Sequence, residues 1–486
     1  MLIYAVDLGT TNLKVVLYDE ELRRLATAAA SVEYDREGVR VEFDPGRIFA
    51  TVIDLVGRCA REVDTSRQDA VIALTGQAES LVLTDARGDA VRPAMSWLDD
   101  RATAEAAELE QHFGIDEAFA VTGEPTASST WPAAKLRWLL AHEPETLDRT
   151  RAVSMIKDDL VRRLVGTPIG EVTTRGFTYL WDVRAGRYWS EMVEHCGLSP
   201  AMLPEVVPAG TDVGPVTDEV VALLPPAAGY RVNIGALDHF CAMAGTGSYV
   251  EGSVSESAGT VLSVSALQRE WRFDPDRRVS FHAGLSEGDT VLFNASDTGG
   301  IALEWFRTQG LGGMPYADLE AALADRVLAD PPLFLPYLTG ISPPDFLPHA
   351  KGAFVDLDLS HDRIDLAYAV EEGIAHLVRR NVEYLDPAAR EVVSTGGGAA
   401  SAHLTQLKAD VCGLEVIVPD ELEATCRGAA ALALRAAGRI DSLDDVAALN
   451  APPSTTYRPR ASAVLDRAGR YDRFASALHR LYATNR

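Results

Sequence analysis

The sequence predicts an α/β protein built of two related lobes with a ligand cleft between them. Three observations carry this. Short apolar runs of strand length alternate with Ala-rich stretches of helical period, the pattern of sheets covered by helices. Leu2 to Val6 and Lys14 to Tyr18 read as strands joined through Asp7-Leu8-Gly9-Thr10-Thr11-Asn12, with glycine and small hydroxyl residues at the turn. The same device returns in the second half, where Ser253 to Ser257 and Val261 to Leu267 flank Ala258-Gly259-Thr260. The repeat divides the chain into residues 1–244 and 245–486. A hinge is expected over 229–247, because Pro225-Pro226-Ala227-Ala228-Gly229 supplies loop chemistry before it and Gly245 and Gly247 punctuate its end.

Composition narrows the class. At roughly 100 to 200 residues per domain, 486 residues give two to four domains and sizeable cores. A chain 47% hydrophobic and 24% charged is neither disordered, collagenous nor coiled-coil. With 45 Lys and Arg against 71 Asp and Glu, the net charge is −26, which excludes a surface that coats a polyanion but not a site for one small anion. Nucleic acid is therefore not an expected partner. Nor is a membrane, since no apolar run approaches the roughly 18 residues of a span. The start, Met1 to Asp7, lacks a basic n-region, and the five cysteines are odd in number and have no zinc spacing. A cytoplasmic location is expected.

The first turn suits phosphate, because glycine lets backbone N–H groups approach oxygens closely and Thr10 and Thr11 add hydroxyl donors. Asp7 strengthens the reading: a carboxylate at the exit of a buried strand needs a partner, and Mg2+ accompanying a nucleotide is a natural one. A third cluster, Ser394-Thr395-Gly396-Gly397-Gly398-Ala399-Ala400-Ser401, follows the strand-like Glu391-Val392-Val393 and precedes the helical run His403 to Val411. Such a loop lays bare backbone at a helix N-terminus, where N–H groups and the dipole favour anions. It lacks the Walker Lys and the G-x-G-x-x-G spacing, so neither a P-loop nor a Rossmann site is expected. Finally, Asp238 in Gly235-Ala236-Leu237-Asp238-His239 ends an apolar strand and opens a small-residue helix. A lone Asp there is most often a cap. Together with two phosphate-like turns, it completes what phosphoryl transfer needs: a cradle, a metal anchor and a base for the acceptor hydroxyl.

These motifs, taken in order, resemble the FGGY carbohydrate kinases, within the larger group that also holds hexokinase and actin. The resemblance covers roughly residues 3 to 440. Its anchors are Ala5 to Lys14, Thr75-Gly76-Gln77, Ser96-Trp97-Leu98-Asp99-Asp100-Arg101, Gly235 to Asp238, Ala258-Gly259-Thr260, Phe334 to Gly340, Lys351-Gly352-Ala353-Phe354 and the triple-glycine loop. It implies two actin-like, ribonuclease H-like lobes with an interlobe active site, ATP and Mg2+ as cofactors, and a homodimer as the common assembly of relatives. It gives Asp238 the role of catalytic base and Asp7, with Asp238, that of holding the metal. It places Gly9, Thr10, Thr11 and Lys14 in the first phosphate segment and Gly259 and Thr260 in the second. Gly396, Gly397, Gly398 and Ala399 fall near the adenosine and α-phosphate, and Gly299 and Gly300 in a further nucleotide-side loop.

The substrate side departs from the family. The pair after the equivalent of Gln77 is commonly Met-His in xylulokinases and Arg-Glu in glycerol kinases; here it is Ala78-Glu79. Glu79 is suited to accept hydrogen bonds from adjacent hydroxyls, and Ala78 leaves no cation nearby to receive an anionic substrate. Trp97 is expected to pack on the carbon chain of the substrate and His239 to add a polar edge. Trp131, in the segment Ser129 to Leu136, reads as core. Thr339-Gly340-Ile341-Ser342-Pro343-Pro344 stands where relatives carry Gly-Glu-Arg-Thr-Pro. The expectation is ATP-dependent phosphorylation of a neutral small sugar or polyol, a ketopentose such as xylulose favoured, with glycerol, a tetritol or another polyol as alternatives. An actin-like, ATP-switched module without catalysis is the rival of another class. Asp238 and Glu79 have no purpose in it.

Overall fold

Leu2–Leu8 (β1) is apolar at nearly every position, as a strand covered on both faces must be. In this computed structural model it lies inside a sheet with Asn12–Tyr18 (β2) antiparallel on one side and Asp69–Gly76 (β4) parallel on the other. The structure describes the chain except residues 62, 260, 275–278, 297, 325, 327–329, 342–346, 348, 422, 448 and 483–486 and the side chains of 447, 462 and 464–466. Arg24–Ser31 (β3) closes one edge, while Asp212–Pro215 (β5) and Gly229–Leu237 (β6) complete the other, in the order β5-β6-β4-β1-β2-β3. Helix Pro45–Ala60 (α1) covers one face. Asp44 caps it by accepting from Gly46 N–H, Pro45 sits at its first position, and Ile48, Val52, Leu55, Val56 and Cys59 recur at helical spacing against the sheet.

The second sheet repeats the plan. Ser253–Ala258 (β7) pairs antiparallel with Leu262–Gln268 (β8), which pairs with Thr290–Ser296 (β10); Glu391–Thr395 (β11) and Glu415–Pro419 (β12) run parallel to β7. Ser280–Ala283 (β9) and Ser454–Tyr457 (β13) extend the edges, giving β9-β10-β8-β7-β11-β12-β13. Three antiparallel strands followed by two parallel ones therefore occur twice, as β3-β2-β1-β4-β6 and β10-β8-β7-β11-β12. The two Gly-Thr hairpins, β1–β2 and β7–β8, hold the same place in each.

The first half also carries an antiparallel sheet of five short strands, two from the stretch between β3 and α1 and three from that between β4 and β5, in spatial order Asp35–Glu37, Arg40–Phe43, Ala94–Met95, Leu81–Thr84 and Ala152–Met155. A helical layer packs against it through Leu109, Leu136, Leu139 and Trp189 and includes helix Pro132–His142 (α2). The stretch expected to be a hinge is regular instead: β6 runs to Leu237 and passes directly into helix Asp238–Thr246 (α3). Irregular chain between the two sheets is confined to residues 247–252. No helix among the described residues is long and apolar enough to cross a membrane, and none of the five cysteines is in a disulfide.

Helix Ala424–Ala436 (α5) follows Ala402–Cys412 (α4) and β12 in the chain, yet it returns to the first sheet. Its Ala429 to Leu434 join a core with Ile3, Ala5, Ala73 and Ala236. There it crosses α3 at two glycines. A Cβ on Gly428 would stand 1.8 Å from the Cys241 carbonyl oxygen, and one on Gly245 would stand 1.9 Å from that of Ala424. Backbone on both sides leaves no side chain to yield. Gly428→Ala is expected to destabilise the protein by about 1–3 kcal/mol or more, through overpacking. Gly57→Ala, on the open face of α1, is expected to stabilise by roughly 0.5–1 kcal/mol. Urea unfolding of the two variants beside the parent checks both signs.

Candidate active site

β1 and β6 both run parallel to β4, with Asp7 opposite Thr75 and Leu237 opposite Gly76, so Asp7 and Asp238 emerge at the same edge of the first sheet. Gly76 is required between them, since its φ is +147° and a Cβ would lie 2.5 Å from that of Leu8. The end of β6 is fixed by a buried chain of polar contacts. Lys157 Nζ donates to Glu171 (2.8 Å), the Thr173 hydroxyl donates to the same carboxylate (2.7 Å), and Leu237 N–H donates to Thr173 Oγ1 (2.9 Å). Asp238 follows immediately.

Asp7, Gly9, Asp238 and His239 form one wall of a cavity of about 580 Å³, and Gly396 and Ala399 are part of the wall across from them on the second sheet's side. Asp420 and Glu421 also line it, whereas no Lys or Arg does. Asp238 Oδ1 accepts from His239 N–H (2.7 Å) and from its Nδ1 (2.8 Å); Oδ2 has no protein partner among the described residues. Burial opposes ionisation of Asp238, but the neighbouring imidazolium and its two hydrogen bonds outweigh it and hold the carboxyl below its ordinary range. The same pairing raises His239 against the opposite pull of burial. Asp7 behaves differently. Burial, followed by the Asp238 charge, pushes its carboxyl up to about 7, with Lys14 and His239 only partly offsetting this, and its buried Oδ1 has no partner. Two carboxyls beside each other, one with an orphaned oxygen, in a cavity that no Lys or Arg lines fit a divalent metal by the chemistry of their donors.

The first phosphate turn is divided by the structure. Gly9 lines the cavity, but Thr10, Thr11 and Lys14 are not among its lining residues. Thr10 Oγ1 accepts from Trp97 Nε1 (2.8 Å), Thr11 is exposed, and Lys14 Nζ pairs with Glu423 at 2.6 Å, just before α5. The glycines of the second half do converge. Gly300 N–H donates to the Gly259 carbonyl (2.9 Å), a Cβ on Gly300 would lie 2.5 Å from that oxygen, and Gly299 backs onto Val261. Gly259, Gly300, Gly397 and Gly398 line a second cavity of about 850 Å³ with Ile301, Leu303, Leu319, Ile374 and Leu404, and Ala400 lines both cavities. Gly396 takes φ +80° where β11 turns into the loop, and Ser401 caps α4 by accepting from Leu404 N–H. Thr260 and the stretch Ser342 to Phe346 lie outside the described residues.

On the substrate side Gln77 is buried and accepts from Ser80 Oγ (2.7 Å), and the same hydroxyl accepts from Trp97 N–H (3.1 Å). Glu79 sits in the left-handed region, φ +70°, with its N–H on Met155 Sδ. Burial pushes its carboxyl up, and Asp238 adds to this. Lys135 pulls it down, which corrects the expectation that no cation lies near Glu79. His239 meets Phe293 edge to face, with ring centroids 5.3 Å apart. Trp131 is part-buried, its Nε1 on the Thr126 carbonyl, and its ring packs near Phe177.

Three groups escaped the sequence reading. Lys135 lay in a segment that looked like core. Ser255, Ser257, Ser263 and Ser265 line the 580 Å³ cavity in cross-strand pairs, Ser255 with Ser265 and Ser257 with Ser263, and none of the four hydroxyls has a protein partner among the described residues. Their signal was the strict Ser alternation of both strands, which puts every second residue on one face. The third is a joint between the halves: Phe281 N–H donates to the Gly123 carbonyl (2.9 Å), Ser280 Oγ donates to Glu124 (2.8 Å), and His282 stacks on Phe177. Elsewhere Glu108, His112 and His195 cluster, but Arg137 already pairs with Glu108 and the two imidazoles are stacked 4.0 Å apart.

A duplicated five-strand plan with an acid pair at the strand ends and glycine-lined cavities between the sheets defines a two-lobed phosphotransferase. The family description "FGGY family of carbohydrate kinases, N-terminal domain" matches residues 2–245, and the C-terminal domain of that family matches 243–437. The chain belongs to the FGGY family of carbohydrate kinases and is an ATP-dependent sugar or polyol kinase. It is 25% identical to a gluconokinase of Bacillus licheniformis (91% of this chain, 88% of the other) and 28% identical to a xylulose kinase of Streptomyces coelicolor (95% and 93%). The solved xylulose kinase of Rhodospirillum rubrum superposes with a TM-score of 0.90 at 25% identity, covering 99% of each chain.

A carboxyl half-protonated near pH 7 must release its proton to bind a cation, so the raised Asp7 carboxyl makes metal binding stronger as pH rises. Between pH 6 and pH 8 the apparent Mg2+ affinity of the nucleotide-free protein is expected to increase about tenfold. Calorimetric Mg2+ titrations at both pH values check it, and Asp7→Asn is expected to flatten the dependence.

Proposed function

We propose that the enzyme phosphorylates a neutral small sugar or polyol, with a ketopentose such as xylulose favoured, and that Asp238 is the general base. One observation carries this: Asp238 keeps Oδ1 occupied by His239 and presents a single free oxygen at a cavity adjoining the glycine-lined one. The sugar hydroxyl donates to Oδ2 and passes its proton there as its oxygen bonds to the γ-phosphorus of ATP and the bond from that phosphorus to the bridging oxygen breaks, releasing ADP. A carboxylate held below its ordinary range stays ionised throughout neutral pH and is ready to accept. His239, tied to Oδ1, fixes the direction of the remaining lone pairs.

The reading gives sugar and first phosphate turn to residues 1–244 and the nucleotide to 245–486. The apolar walls of the larger cavity suit a purine, and backbone N–H groups of Gly396, Gly397, Gly398 and Ala399, with the Gly259–Gly300 pair, suit the phosphates. Thr10, Thr11 and Thr260 extend the donor set. The serine pairs of β7 and β8 add neutral donors for phosphoryl oxygens where the cavity has no lining Lys or Arg. Lys14 contributes charge while shared with Glu423. Asp7 and Asp238 would hold Mg2+, which supplies neutralisation of phosphate charge when bound. Glu79 accepts from neighbouring sugar hydroxyls, and Lys135 beside it is committed to two main-chain carbonyls and so is not offered to an anionic substrate; aldonates are therefore expected to be poor even though a gluconokinase is among the relatives. A polyol such as glycerol or a tetritol is the second reading, favoured by Trp97, whose indole is fixed through Thr10 at the edge of the site.

ADP release against ketopentoses, pentitols, tetritols, glycerol and gluconate tests the substrate class; an aldonate as best substrate overturns it. Asp238→Asn is expected to lower turnover by about 100-fold to 10,000-fold with sugar and ATP binding little changed, and a near-normal rate would reduce Asp238 to a helix cap. Glu79→Gln keeps the shape but exchanges an acceptor for a donor, and is expected to cost about 1–3 kcal/mol in sugar binding while ATP binding stays put. Saturation curves for both ligands read this directly.

A further inference from the structure

Lys135 is fully buried near the start of α2, and its ammonium makes no ion pair among the described residues. It donates instead to two main-chain carbonyls, that of Ser96 at 2.7 Å and that of Glu79 at 3.2 Å. Those carbonyls belong to the two loops that carry the substrate-side residues, since Ser96 precedes Trp97. Glu79 holds a left-handed backbone that a residue with a Cβ adopts only when its surroundings impose it. Its N–H is turned to Met155 Sδ and its carbonyl to Lys135, so both ends of the strained residue are held. A buried ammonium is costly unless a charge compensates it. Burial pulls the Lys135 ammonium down to about 8; the Glu79 charge is the largest compensation, Asp99 and Asp100 add to it, and Arg101 opposes. Asp99 is already committed to Arg101 and to Val41 N–H.

We propose that Lys135 is a positioning residue for substrate selection: through its two main-chain hydrogen bonds it fixes the strained Glu79 backbone against the Trp97 loop and so sets where the Glu79 carboxyl stands toward the sugar. The proposal rests on the reading of Glu79 as the hydroxyl acceptor. It gives the buried lysine a function that packing alone does not require, because a methionine would fill the same volume.

The test compares Lys135→Met in the parent and in a Glu79→Gln background. In the parent, the KM of the preferred sugar is expected to rise at least about tenfold with the ATP KM within about twofold. In the Glu79→Gln background the same change is expected to add less than about threefold, because the two residues act as a unit. An unchanged sugar KM overturns the proposal, as does an equal effect in both backgrounds, which would make Lys135 a support of the fold alone. Should Lys135→Met not yield folded protein, Lys135→Gln, which still donates to a carbonyl but brings no charge, carries the same comparison. Sugar binding followed by tryptophan fluorescence repeats the cycle without turnover. A chain that binds sugar but does not phosphorylate it overturns the kinase substrate reading while the binding cycle still decides on Lys135.

Discussion

The active site depends on one close contact, the crossing of α3 and α5 at Gly245 and Gly428. α3 begins with Asp238, and α5 follows directly on Glu423, the partner of Lys14. Because bare backbone meets bare backbone there, a helix late in the chain lies flat against the first sheet and brings the β12 end, with Asp420 and Glu421, over Asp7. A side chain at either glycine would lift α5 and open the cavity from below. The duplicated sheets supply two similar edges. The glycine crossing turns those edges into one site.

Electrostatics gives the site its character. The cavity collects Asp7, Asp238, Asp420 and Glu421 and has no Lys or Arg among its lining residues, so its charge is managed by His239 on its wall and by groups one step removed. His239 neutralises Asp238, Lys14 neutralises Glu423, and Lys135 faces Glu79 without touching the carboxylate. Asp238 is thereby kept ionised while Asp7 is left with an unmet demand for positive charge. On the proposed reading, a kinase that admits a polyanionic nucleotide into an acidic cleft benefits from this arrangement, since a metal ion carried in with the nucleotide would meet that demand. In that reading the serine pairs and the glycine N–H groups would contact phosphate as neutral donors, without a fixed charge to hold ADP after transfer.

How much of this was legible in the chain differs by level. The two lobes could be read because a strand, a Gly-Thr turn and a strand are local features, and their repetition needed no knowledge of contacts. Asp7 and Asp238 could be read because each ends an apolar run, and the triple-glycine loop because it joins a strand to a helix. The boundaries came within one or two residues, β1 running on through Asp7 to Leu8 and α4 spanning Ala402–Cys412. The hinge was misplaced because glycines and prolines around 229–247 mark helix–helix approach and strand entry as readily as a loop.

The sequence by itself determined the α/β class, the duplication and the residues that end the strands, because covalent periodicity and turn chemistry act over a few neighbours. Only the tertiary structure decided which charges face one another. That Lys14 is committed to Glu423, that Lys135 lies under Glu79, that four serines on two strands form one surface and that Ser280 reaches Glu124 are contacts between segments far apart in the chain. Their partners follow from how the sheets and helices pack, and a linear pattern carries no record of that geometry.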